Sequence, residues 1–137
     1  MSMRLYISFV LAGLLLVVVT LPLEAHHSQS SFWLTDESAS IEGVVKELHI
    51  MNPHVEMVVE VTDPNGGKSD WFISGAKNAS ALIRAGWTDD ILTPGMRVRI
   101  DGNPSRRNGS KALLAGDVTV LATGRVLDLS TDVSPIQ

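Results

Sequence analysis

The chain predicts an all-β domain, a small closed barrel of five strands with one short helix. Three observations carry this. Between residues 41 and 129, apolar and polar residues alternate in short runs, the period of a strand with one face buried. Clusters of Gly, Asn, Asp and Pro separate those runs at regular intervals. Helix start and stop signals coincide at one place, behind Asn78.

The first 25 residues stand apart from that pattern. Arg4 supplies a positive charge, Leu5 to Leu23 is almost wholly apolar, and Leu23-Glu24-Ala25 ends in a small residue. This is the layout of a secretory signal cut after Ala25, so a periplasmic or secreted protein is expected. The competing reading is an uncleaved anchor, because the run approaches the ~20 residues that span a bilayer. A membrane enters as a partner only in that case.

Residues 26–40 form an N-terminal arm. It is polar and Ser-rich apart from Phe32-Trp33-Leu34, through which it is expected to dock. The barrel domain is assigned to residues 41–129. Its first strand, Ile41 to Ile50, carries Gly43, which signals a bulge or a close backbone approach. Asn52-Pro53 interrupts the run, since proline has no N–H for a ladder. Alternation then resumes, with Val55, Met57, Val59 and Val61 facing the core. His54, Glu56, Val58 and Glu60 face outward.

Asp63-Pro64-Asn65-Gly66-Gly67 is a hairpin turn, and Ser69 to Ser74 is its return strand, with Trp71 and Ile73 opposed to Phe72. Asn78 caps a helix over residues 79–85 that Gly86 stops, with Leu82, Ile83 and Trp87 expected to hold it to the barrel. After the turn at Leu92-Thr93-Pro94-Gly95, Met96 to Ile100 is a strand. The stretches Asp101-Gly102-Asn103-Pro104 and Asn108-Gly109 are expected to be turns framing a hairpin loop. Lys111 to Leu121 is the last long strand. A short segment, Arg125 to Leu129, and a loose tail over 130–137 complete the chain. Five strands with a helix between the third and fourth match an OB-like barrel; a small β-sandwich is the runner-up.

Composition narrows the function. The 137 residues suffice for one domain, and about 110 after cleavage form a core without staples. A formal charge of −4 argues against nucleic acid as a partner. Arg106-Arg107, the one pair of adjacent basic residues, is read as a solvated loop tip. With no cysteine, thiolate metal sites, catalytic thiols and disulfides are excluded. No nucleophile elbow, phosphate loop, zinc-protease helix or dinucleotide fingerprint is present, which favours a binding protein over an enzyme.

The histidines are the chemical signal. All four, His26, His27, His49 and His54, lie in the first 54 residues. Cleavage after Ala25 makes His26 the first residue of the mature chain, and its α-amine and imidazole can then chelate one ion. A further histidine, His54 or His27, completes the tetragonal set that Cu(II) favours. Both donor types release their protons readily near neutral pH. The candidate metal ligands are His26, His27, His54, Glu56 and His49, with Met51 close in sequence. Copper is the first choice, with zinc or nickel behind it.

Ala25-His26-His27-Ser28, Asn52-Pro53-His54, Trp71, residues 81–87 (Ala-Leu-Ile-Arg-Ala-Gly-Trp) and residues 92–98 (Leu-Thr-Pro-Gly-Met-Arg-Val) together resemble the DUF6152 family. Its members are small exported bacterial proteins of unknown function. The resemblance implies export and a compact β fold, and names no reaction. The expectation is therefore an exported metal carrier, sensor or accessory protein. A metal-free module for a peptide or saccharide, using Trp33, Trp71 or Trp87, is the alternative. An oxidative copper enzyme ranks last.

Overall fold

A computed structural model of the chain describes residues 29–130. The leader, with its expected cleavage point and the histidines His26 and His27, lies outside the described residues, as does the tail over 131–137.

Six strands and one helix make up the domain: β1 (Ala39–His49), β2 (Glu56–Thr62), β3 (Lys68–Gly75), α1 (Ala79–Arg84), β4 (Arg97–Pro104), β5 (Ala112–Val120) and β6 (Arg125–Asp128). The sheet order is β3-β2-β1-β4-β5-β6, and β3 also pairs with β5. That last pairing is parallel, Phe72 to Gly75 against Ala112 to Ala115, and it closes β1 to β5 into a barrel. The strand order and the helix between β3 and β4 give the expected OB-like barrel. β6 pairs with the second half of β5, beyond the stretch that β3 occupies.

The core follows the predicted alternation. Val55 is buried just before β2, Met57 and Val59 along it, Ile73 on β3, Val98 and Ile100 on β4, and Leu113 and Val118 on β5. Leu82, Trp87 and Leu92 join the same cluster from the helix and the loop behind it. Asn78 caps α1 by accepting the Ala81 N–H at 2.9 Å, and Gly86 takes the positive φ of 90° that ends the helix. Ile83, expected to anchor the helix, is 63% exposed. A helix this short has one inward stripe, and Leu82 occupies it.

The hairpin between β2 and β3 is built on Asp63, whose Oδ1 accepts the Asn65 and Gly67 N–H groups at 2.8 and 2.9 Å. At Gly43 the predicted close approach is what occurs, since a side chain there would meet Val59 and the Glu60 carbonyl. The bulge lies three residues on, between Val45 and Glu47.

One expected turn is a strand instead. Asp101 to Pro104 continues β4 and pairs with β5 as far as Pro104 against Leu113. Composition pointed to a turn because Gly, Asn and Pro are turn formers. In the barrel Gly102 serves a close approach, for any side chain there would fall on the Leu114 carbonyl and the Leu113 side chain. Asn103 donates to the Glu37 carbonyl at 2.6 Å, and Pro104 sits at the strand end, where its missing N–H costs nothing.

The described part of the N-terminal arm, from Gln29, docks on the barrel largely through its backbone, where the apolar side chains of Phe32-Trp33-Leu34 were expected to hold it. Trp33 forms a bridge with Ser105, Leu34 N donates to the Pro104 carbonyl at 2.9 Å, and Arg106 N donates to the Phe32 carbonyl at 2.9 Å. Trp33 and Leu34 are half-buried, whereas Phe32 is 68% exposed and contributes no anchor.

Candidate functional site

A register shift decides which way His49 points. Val45 is buried in the barrel, and an unbroken strand would turn every second residue inward, His49 included. The bulge after Val45 inserts one residue and reverses that parity. Leu48 now packs against the core opposite Met57, and Glu47 and His49 stand on the outer face. His49 is the direct cross-strand partner of Glu56, and Glu47 that of Val58. The His49 Nε2 and Glu47 Oε2 atoms are 3.1 Å apart, with both side chains at least half exposed. Water competes with such a contact, so it orients the ring more than it stabilises the fold.

The segment joining β1 to β2 carries the second histidine. Its Asn52–Pro53 peptide bond is cis. Backbone contacts hold it at both ends: the Met51 carbonyl accepts the Ala79 N–H at 3.2 Å, and Val55 N donates to the Lys77 carbonyl at 3.2 Å. Gly75 N in turn donates to the Val55 carbonyl at 3.0 Å. His54 is exposed between these fixed points, with Glu56 half-buried two residues on at the start of β2. The loop that presents His54 is thus pinned to the connection between β3 and α1.

That connection is itself locked from below. Lys77, 5% exposed, donates from Nζ to Asp128 Oδ2 at 2.7 Å and to the Asp128 carbonyl at 3.2 Å. The Ser130 N–H donates to Asp128 Oδ1 at 2.7 Å. Burial pushes the Asp128 carboxyl up, but the Lys77 and Ser130 hydrogen bonds and the ammonium charge outweigh it and hold the group below the usual carboxylate range. Ala76 N donates to the Leu129 carbonyl at 2.9 Å, so β6 and its extension buttress this end of the barrel.

The described part of the arm starts at the same end. Gln29, the first described residue, lines a shallow cleft together with Ala76, Asn103 and Ser130. Ala76 adjoins Lys77, whose carbonyl holds the residue following His54.

Of the five candidate ligands, His49 and Glu56 are brought face to face, and His54 lies on the adjoining loop. His26 and His27 lie outside the described residues. Among the described residues, no three His, Asp or Glu side chains form a group able to hold a metal ion. Sequence reasoning missed two participants. Glu47 was hidden because only the bulge turns it outward, together with His49. The Lys77–Asp128 pair was hidden because 51 residues separate the partners. Of the tryptophans considered for a binding face, Trp87 is buried and Trp71 packs half-buried against the core, which leaves Trp33.

A family model described as a family of unknown function, DUF6152, matches residues 14–115, from within the apolar N-terminal segment to the middle of β5. Comparison with curated proteins gives no match.

Proposed function

The chain belongs to the DUF6152 family, and from that premise we propose that it is an exported protein that binds a transition metal, Cu(II) first, through its mature N-terminus. The α-amine and imidazole of His26 supply two nitrogen donors, His54 or His27 the third, and Glu56 or His49 a further ligand. Nitrogen-rich tetragonal sets of this kind suit Cu(II) better than Zn(II).

The observation that carries this reading is the shared end of the barrel. Gln29 lines the same cleft as Ala76, which is one residue from the backbone contact that fixes the loop of His54. Gln29 lies three positions beyond His26, a reach of at most ~11 Å for extended chain. A site made partly of a tethered arm and partly of a rigid loop suits a protein that takes up and passes on its ion, so carrier, sensor or accessory roles are favoured over catalysis.

Three measurements test the proposal on protein processed by its host. Mass spectrometry should find His26 as the first residue; retention of the leader, or a start elsewhere, removes the amine donor. Calorimetric titration should give one Cu(II) per chain, with affinity rising between pH 6 and 8 as the ~6.5 imidazole and ~8 amine lose their protons. One extra residue before His26 should weaken binding by tenfold or more; equal affinity would deny the amine any role.

A further inference from the structure

A cleft of about 310 Å³ separates the arm from the β4–β5 loop, lined by Ser31, Phe32, Trp33, Ser105, Arg106 and Arg107. We propose that it is a binding site for an acidic oligosaccharide, with a sugar ring against the aromatic side chains and its carboxylate on the arginines. The inference does not depend on the metal reading.

The charge of the cleft comes first. Two guanidinium groups line it and no carboxylate does, in a chain whose formal charge is −4. Arg106 is oriented by donation from Nε to the Ser30 carbonyl, which leaves its terminal nitrogens for a ligand. Arg107 makes no side-chain hydrogen bond or ion pair among the described residues. A guanidinium presents a planar fork of N–H donors that matches a carboxylate. The loop that carries both is built. Arg106 N donates to the Phe32 carbonyl at 2.9 Å, Arg107 N to Ser105 Oγ at 3.2 Å and Ser110 N to the Arg107 carbonyl at 3.0 Å. Gly109, at φ +74°, turns the tip.

The aromatic residues set the shape of the ligand. Phe32 is 68% exposed although the arm is docked on both sides of it, and Trp33 is half-buried at the cleft wall. Flat apolar faces beside charged forks suit a rigid ring with C–H groups on one face and an acid at its edge. An acidic peptide fits less well. Extended peptides bind by adding to a strand edge, and the end of β4 is already taken by Trp33 and Leu34 of the arm. A membrane surface would want a broader apolar face than the single protruding Phe32. The β4–β5 loop is also one of the ligand-contacting rims of OB barrels in general.

The test uses the host-processed protein in EDTA, so that no metal bridges ligand and protein, with trigalacturonate as probe and its methyl ester as neutral control. Calorimetry or Trp33 fluorescence should register trigalacturonate, with the ester at least tenfold weaker and binding weakened by salt. Arg107→Gln should lose about tenfold and Phe32→Ser severalfold, since both side chains are exposed and circular dichroism should show an unchanged fold. No binding of the trisaccharide at millimolar concentration overturns the proposal. So does equal affinity for the ester, an unchanged Arg107→Gln, or adsorption to phosphatidylglycerol vesicles in place of the sugar.

Discussion

Replacing Lys77 by Met tests whether the buried ion pair holds the candidate loop in place. The Lys77 side chain is 4% exposed and that of Asp128 23%, and Nζ contacts both the carboxylate and the carbonyl of Asp128. Removing one partner of a fully buried pair costs about 3–5 kcal/mol, because the other is left charged and unpaired. Here the abandoned Asp128 keeps the Ser130 N–H and reaches some water, so about 2–3 kcal/mol is expected for Lys77→Met. Asp128→Asn should cost more, about 3–4 kcal/mol, since it strands an ammonium with almost no access to water. In a domain of this size, 2–3 kcal/mol lowers the melting temperature by roughly 10–20 °C. Thermal and urea unfolding followed by circular dichroism measure both variants. The pH dependence carries the sign. Asp128 titrates below its unfolded value near ~3.9, so its contribution is complete above that pH and is lost as pH falls through the folded value. The penalty of Asp128→Asn should therefore shrink in acid. A Lys77→Met variant within 0.5 kcal/mol of the parent (roughly the level of an ordinary surface change) would refute the reasoning.

Other outcomes follow from single contacts. Gly102→Ala should abolish folding or cost at least ~3 kcal/mol, because the added carbon collides with the β5 backbone; chemical denaturation checks this. Asn78→Ala removes the α1 cap and should cost about 1 kcal/mol in the same assay. His54→Ala should weaken Cu(II) binding by tenfold or more in calorimetry while leaving stability within ~0.5 kcal/mol, as an exposed loop residue would.

Much of the fold was legible because its signals are local. Asp63 to Gly67, Asn78 with Gly86, and Val55-Met57-Val59 each declare a turn, a helix or an inward face within a few residues. Gly102 and Pro104 misled because the same residues serve a turn and a crowded strand crossing, and only the Leu114 carbonyl across the barrel tells them apart. Ile83 misled because an apolar residue on a one-and-a-half-turn helix has no obligation to face inward. Phe32 misled similarly: the arm is tied down by backbone hydrogen bonds, which sequence does not show.

The candidate site divides in the same way. The grouping of His26, His27, His49 and His54 behind an apolar N-terminal segment is a property of the sequence, as are the lack of cysteine and the acidic balance. Those facts limit the donor types available to the proposed metal site. The arrangement belongs to tertiary structure. The bulge after Val45 turns Glu47 and His49 outward and sets His49 opposite Glu56, a register fixed by which residues the barrel must bury. The pairing of Lys77 with Asp128, the cleft that Gln29 shares with Ala76 and the cleft between Phe32 and Arg107 join residues 51, 47 and 75 positions apart in the chain. No local pattern encodes such meetings, since they arise only when distant segments pack together in the folded chain.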